Sequence, residues 1–285
     1  MSFQNPVLNV YSLKWDTITV TIVFLFDDAR LNKIFTLLGL PAFSCLVNDA
    51  EQADFQVSQR AENHYILNTH HSNEQTVFES MNDLLVNTVN QIAFYFLRRS
   101  ERLMLHCGAL VVNNEAILFS GLSHAGKTSL AVNAWLSNYS VLGDDIVMCD
   151  PKNYTVNAFP KPLRQRLTSL DIPAKLMKKA GEGNIVAGKF AYDTGLFIGR
   201  KSPNIITYNQ PVKIKEIYYL ERGEKTSVTL LSRTQALVLS LMQVYPNQHC
   251  LEMTKIIHYL DSKSAIKRLV IGEHDQQKAL EIVCG

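Results

Sequence analysis

Residues 119–130 read FSGLSHAGKTSL. Within them Gly121-Leu122-Ser123-His124-Ala125-Gly126-Lys127-Thr128 fits G-x-x-x-x-G-K-[ST] at every fixed position. The context agrees with the pattern. The apolar run AILFS (116–120) leads in as a strand, and KTSLAVNAWLSN (127–138) leads out as a helix. Glycines without a Cβ let backbone N–H groups curl around phosphate oxygens, and the helix start adds its positive end. In that reading Gly121 to Ser129 cradle a nucleotide's phosphates. Lys127 reaches the β- and γ-phosphates, and the Thr128 hydroxyl binds Mg²⁺. The bland alternative is a glycine-rich turn with an idle lysine.

Working outward, LHCGALVV (105–112) precedes the loop and YSVLGDDIVMCD (139–150) follows it. Both are nearly continuous apolar runs, which suits strands buried on two faces. Asp144 and Asp145 close the strand after the loop's helix, where an aspartate holds Mg²⁺ in P-loop proteins. Adjacent strand residues face opposite ways, so both reach one site only where the strand ends. One could then hold the metal while the other accepts a proton from an attacking hydroxyl; the plainer reading is two acids in a turn. A lone histidine in an apolar strand is more often a core residue than a catalyst. His106 rises above that because its strand precedes the loop strand and the two are expected to be sheet neighbours. Arg164 and Arg166, in FPKPLRQRL (159–167), fall on one face if extended. They would contact phosphate or an acidic substrate, or line a solvated strand.

The chain has 285 residues, 47% hydrophobic, enough for one large or two modest domains. A net charge of +2 gives no electrostatic footprint for nucleic acid. Five scattered cysteines (45, 107, 149, 250, 284) form no C-x-x-C pair and point to a reducing cytoplasm. The N-terminus lacks the pattern of a signal peptide, and TITVTIVFLF (17–26) is too short for a membrane span.

Along the chain, 17–26 reads as a strand and 27–38 as a helix capped by Asp27 or Asp28 and ended by Gly39 and Pro41. HYILNTH (64–70) is a strand; a long helical pattern has apolar residues at 78, 81, 84, 85, 92, 95 and 96, with Thr88 on the same face. His70, His71 and His124 read as surface residues. Residues 1–100 are expected to be a small α/β module, serving substrate recognition, and 101–285 the catalytic domain. The part from about 168 to 190 reads as helical and then glycine-punctuated, with KKAGEGNIVAGK (178–189) a surface loop or lid. Strands are expected in 211–223 and 227–233, helices in 234–244 and 251–260, and strand then helix in 267–283.

The succession LHCGALV, GLSHAGKTSL, VLGDDIVMCD and AFPKPLRQR resembles the catalytic domain of the bacterial HPr kinase/phosphorylases, and more closely their HPr-kinase-related relatives. The resemblance is strongest over about 103–167. His106 precedes Lys127 by 21 residues, and Asp144 and Asp145 follow it by 17 and 18. The family's glutamate-containing signature has no counterpart shortly after Asp145, although LERG (220–223) is similar to it. The resemblance implies an α/β, P-loop-containing catalytic domain with a mixed sheet, its core similar to phosphoenolpyruvate carboxykinase. It implies an active-site histidine at His106, a P-loop lysine at Lys127, a metal-binding hydroxyl at Thr128 and a catalytic pair at Asp144 and Asp145, for which we expect Asp144 to be the base and Asp145 to join Thr128 on the metal. The expected activity is transfer of the γ-phosphate of ATP, with Mg²⁺, to a hydroxyl such as a serine. The acceptor would be a protein, a peptide or a small molecule, with neither nucleic acid nor a membrane as partner and a homo-oligomer left open. The alternatives are a nucleotide-binding regulatory module without transfer, or a phosphorylase or phosphatase using the same residues.

Overall fold

The computed structural model describes residues 9–44, 53–70, 74–167, 173–190, 193–207, 210–245, 250–273 and 275–285. By contact the chain divides into two compact units, Met1–Ser100 with Arg166–Gly199, and Glu101–Gln165 with Arg200–Gly285.

The first unit is built on a six-stranded sheet: β1 (Asn9–Trp15), β2 (Ile18–Phe24), β3 (Ala42–Ser44), β4 (Phe55–Ala61), β5 (His64–Thr69) and β6 (Glu74–Phe78), in the order β3-β1-β2-β4-β5-β6. The β-branched run forms β2 as expected, with Val20, Ile22 and Val23 fully buried. Asp28 caps a short 3₁₀ turn by accepting from the Arg30 N–H at 2.8 Å, and α1 (Lys33–Leu38) follows. Gly39 ends α1 at φ +68°, the left-handed conformation that glycine adopts without a Cβ clash. The long helix α2 (Met81–Arg99) begins later than its apolar pattern suggests, because Phe78 belongs to β6 and Ser80 is already extended. Arg98 and Arg99 lie in its last turn, where cations offset the exposed carbonyls.

Residues 166–199 differ from the expectation in two ways: they group with the first hundred residues, and 178–189 is not a surface loop. Helix α4 (Ala174–Ala180) leads through a 3₁₀ turn into β14 (Ile185–Phe190), which pairs antiparallel with β15 (Asp193–Ile198). β14 lies against α2. A Cβ added at Gly188 would stand 3.0 Å from the Asn82 carbonyl oxygen, so a side chain there would press strand and helix apart. Asp83 accepts from the Lys189 N–H at 2.6 Å, and the Asn87 amide donates to the Lys189 carbonyl at 2.8 Å. Of the expected surface histidines, His70 is exposed and His71 lies outside the described residues, as do residues 168–172 of the expected helical stretch.

The second unit carries a nine-stranded mixed sheet. Its strands are β7 (Leu103–Leu105), β8 (Cys107–Val112), β9 (Glu115–Ser120), β10 (Ser140–Gly143), β11 (Val147–Asp150), β12 (Thr155–Ala158), β16 (Val212–Arg222), β17 (Ser227–Leu230) and β18 (Ile266–Ile271). The main path runs β10-β8-β9-β16-β12-β11-β7, with β18 on β16 and β17 on β18. The remaining strand, β13 (Leu163–Arg166), carries the chain across the unit boundary. Asn113 and Asn114, both at positive φ, make the tight turn between β8 and β9. β16 lies parallel to β9 and to β18. The helices are α3 (Lys127–Leu136), α5 (Arg233–Leu241), α6 (Cys250–Asp261) and α7 (Gln276–Cys284). Apolar residues of β8, β9, β11, β16 and α6 form one buried cluster. Cys107 and Cys149 lie in it as free thiols, and burial pushes both well up. The side chains of Cys45 and Cys250 lie outside the described residues. Among the described residues no helix is long and apolar enough to cross a membrane.

Two interruptions decide where the chemistry falls. β7 and β8 are one run broken at His106, and β10 and β11 one run broken at residues 144–146. On one side of the breaks β7 pairs with β11; on the other β8 pairs with β10. The sheet therefore curls back until its two ends are joined through the chain at these breaks, which lie at one level.

Candidate active site

The loop between β9 and α3 has backbone that explains its glycines. Gly121 stands at φ +153° and Gly126 at φ +109°. A Cβ at Gly121 would come within 2.6 Å of the Leu220 carbonyl oxygen, so any larger residue would force loop and sheet apart. His124 is also left-handed, at φ +68°, and its side chain is exposed with Leu122 and Ser123. Ala125 is buried beneath them.

Lys127 opens α3 and turns back into the loop. Its ammonium donates to the Gly121 carbonyl at 2.6 Å and the Leu122 carbonyl at 3.2 Å, and the residue is only 8% exposed. Burial lowers its pKa, while the charges of Asp145 and Asp144 oppose that shift. Thr128, one residue on, directs its hydroxyl toward the acid pair.

The two aspartates diverge. Asp144 is 4% exposed; its Oδ2 accepts from the Thr128 hydroxyl at 2.9 Å and from the Arg164 N–H at 3.3 Å. Burial, with the neighbouring charge of Asp145, pushes Asp144 up to about 6. Asp145 turns the other way. Its Oδ1 meets His106 Nε2 at 2.9 Å, and its Oδ2 accepts from the Lys161 ammonium. Burial alone would raise Asp145, but the Lys161 charge and the hydrogen bonds from His106 and Lys161 outweigh it and hold the carboxyl well below the usual range. The side chains of His106 and Asp145 remain 38% and 31% exposed, so this face is open to a second molecule. The His106 backbone N–H donates to the Gln243 carbonyl at 2.7 Å, and the Tyr245 ring stands 6.2 Å from the imidazole.

The second unit thus brings together His106, Lys127, Thr128, Asp144, Asp145 and the Arg164 backbone. Thr128 is bonded to Asp144, not to the Asp145 expected beside it. Arg166 belongs to the first unit, in an ion pair with Asp193 at 3.2 Å. Ser129 is exposed on the first turn of α3.

Three residues escaped the sequence reading. Lys161 sits between two prolines in the same segment as the arginines. Arg200, 2% exposed, donates to the Leu142 carbonyl at 2.7 Å and to the Ile206 carbonyl, tying down the end of β10 just before the acid pair. Burial lowers that guanidinium to about 10. With the Gln276 amide turned so that its oxygen faces the guanidinium, Arg222 donates to it at 2.7 and 2.8 Å, and a Cβ at Gly126 would lie 3.0 Å from Arg222. It stands within the LERG run (220–223), whose place beside the loop depends on the pairing of β16 with β9.

The fold is mixed α/β, with several sheets and seven α-helices among the described residues. No protein-family model matches the sequence, and no curated protein does. Among solved structures, 44 chains match. One is the HPr(Ser) kinase/phosphatase from Coxiella burnetii, 9% identical, with 63% of this chain and 92% of that chain covered at a TM-score of 0.30. At that TM-score the likeness carries no argument, and the functional reading rests on this chain's own residues.

Proposed function

We propose that the chain is an ATP- and Mg²⁺-dependent kinase that transfers the γ-phosphate to a hydroxyl, a serine of a protein or peptide being the acceptor that the sequence resemblance favours. The observation that carries this reading is the Thr128–Asp144 hydrogen bond, which ties the glycine loop to the acid pair at 2.9 Å. A glycine-rich turn with an idle lysine has no reason to meet two aspartates, a histidine and a second lysine at a break in the sheet.

The residues suit the groups they would hold. Gly121 and Gly126 hold the loop at positive φ and close against Leu220 and Arg222, where a side chain would collide, and Lys127 lies folded back onto the Gly121 and Leu122 carbonyls. Among the described residues no three or more His, Cys, Asp or Glu side chains cluster to hold a metal by themselves. Mg²⁺ suits such a site, because it is commonly held by one or two protein oxygens together with substrate phosphates. Thr128 and Asp144 are the oxygens available for it. Bound there, Mg²⁺ would neutralise charge on the transferring phosphate.

The division of labour between the aspartates then follows their surroundings. Asp144, buried with Thr128, serves the metal side. Asp145, with His106 on the more open face, serves the acceptor side: the pair orients the incoming hydroxyl and receives its proton as the bond to phosphorus forms. A carboxylate held far below its ordinary range is a weak base. That suffices for phosphoryl transfer, where positioning and electrostatics dominate. This exchanges the roles expected from sequence for Asp144 and Asp145.

The test is Lys127→Met, assayed for ADP formation and for acceptor labelling from γ-labelled ATP. Loss of a charge-assisted contact to phosphate should weaken nucleotide binding by about 10–100-fold. Because Lys127 is buried rather than surface-facing, far-UV circular dichroism must accompany the assay. A folded variant with undiminished turnover removes the reading.

A further inference from the structure

Lys161 stands in Phe159-Pro160-Lys161-Pro162-Leu163, where Phe159, Pro160, Pro162 and Leu163 are all buried and Lys161 itself is intermediate. Pro160 and Pro162 each fix their own φ, and Pro162 also confines the backbone of Lys161 to extended conformations. The Lys161 N–H bonds the Phe159 carbonyl at 2.8 Å, closing a tight turn. The ammonium therefore projects from a backbone with little freedom. Its side chain is 13% exposed and ends on Asp145 Oδ2. With His106 Nε2 on Oδ1, both oxygens of Asp145 have cationic or N–H partners supplied by the protein. Asp144 differs: its contacts are the neutral Thr128 hydroxyl and the Arg164 backbone N–H.

We propose that Lys161 is a fixed cation that serves Asp145 in place of a metal ion, so that the site takes one divalent cation, at Thr128 and Asp144. This rests on the kinase reading and adds to it a positioning residue and a metal count. Two carboxylates on adjacent residues repel each other, and a site that uses both must supply compensating positive charge on each side. Here one side is compensated by the chain itself. An ammonium set by two prolines carries little of the reorganisation that a mobile lysine would undergo, and it keeps Asp145 ionised and turned toward His106. It also occupies the direction from which a second metal ion would approach Asp145.

The test counts bound Mn²⁺ by electron paramagnetic resonance, with a non-hydrolysable ATP analogue, on the full chain. The parent should bind one Mn²⁺ per chain. Lys161→Met should bind a second ion at elevated Mn²⁺ and lose turnover by about 10²-fold, the scale of removing one preorganised electrostatic partner. Millimolar ethylammonium should restore part of the loss, which repair of a purely structural defect would not do. Lys161→Arg, which keeps the charge, should keep the single ion and guards against a folding defect in the methionine variant. A parent that binds two ions overturns the proposal. So does a Lys161→Met variant that matches the parent in ion count and turnover. A parent that takes up no Mn²⁺ with the nucleotide overturns the kinase reading, and this inference with it.

Discussion

Asp144 and Asp145 are consecutive residues at one break in one sheet, yet they occupy two different chemical settings. The Asp144 corner is closed: 4% exposed, capped by a neutral hydroxyl and a backbone N–H, with Arg200 anchoring the strand behind it. The Asp145 corner is partly open, with the Lys161 ammonium on one oxygen and the His106 imidazole on the other. Burial dominates the first and raises its carboxyl to about 6; ion pairing dominates the second and depresses it. Equal covalent chemistry is thus converted into a protonatable group beside the loop and one that rests ionised on the more open face. Environment, not residue type, assigns the roles.

The comparison breaks most visibly in phosphate transfer. Asp145→Asn should keep nucleotide affinity within a few-fold yet slow acceptor phosphorylation by about 10²–10⁴, the usual scale of acid–base assistance. Asp144→Asn should instead raise the Mg²⁺ needed for half-maximal nucleotide binding. Titrating Mg²⁺ against analogue binding, alongside single-turnover transfer, separates the two. If Asp144→Asn loses transfer alone and Asp145→Asn loses the metal, the corners have been assigned the wrong way round.

A smaller effect is expected with pH. Asp144 must shed its proton to hold a cation, and its carboxyl lies at about 6. The half-saturating Mg²⁺ concentration should be flat above pH 7 and climb by about tenfold per pH unit below pH 6, since protons compete with metal for the same oxygens. An Asp144→Asn variant should lack that climb. A parent profile that stays flat down to pH 5 contradicts the closed corner.

The smallest expected effect is on stability without metal. Folded Asp144 keeps its proton up to about 6, whereas the unfolded side chain loses it near 3.8. Between those values the folded state binds more protons, so this group's contribution to stability falls as pH rises through the window and stays low above it. Asp144→Asn carries no such loss. Relative to the parent, it should gain about 2–3 kcal/mol on going from pH 4 to pH 7.5 in chelator. Asp145 acts with the opposite sign, its contribution being present at neutral pH and lost in acid. Denaturation of both variants from pH 7.5 to well below pH 3.8 measures the contrast, since Asp145 acts only as pH falls beneath its unfolded value, and parallel curves would erase it.

Much of this was written locally. Gly121, Gly126, Lys127 and Thr128 announce a strand–loop–helix turn because positive φ and a helix start place strict demands on residue type, and those demands act over a few positions. The β2 and α2 patterns were legible for the same reason, and the chain carries them as strand and helix. The segment 178–189 was not legible: its glycines read as a loop, whereas Gly188 is there to let β14 approach a helix that ends nearly ninety positions earlier in the chain, and Asp83 binds Lys189 across 106 positions. No local pattern carries a partner at that distance. The facing of the two aspartates was equally beyond the sequence. Direction at a strand end is set by which strands pair on either side of the break, here β8 with β10 and β7 with β11. The residue types at 106, 127, 128, 144 and 145 were thus determined by the sequence. Which acid meets Thr128, and which meets His106 and a lysine sixteen residues downstream, was decided by tertiary structure, because charges and hydrogen-bond partners act through space and the sheet, not the chain order, brings them together.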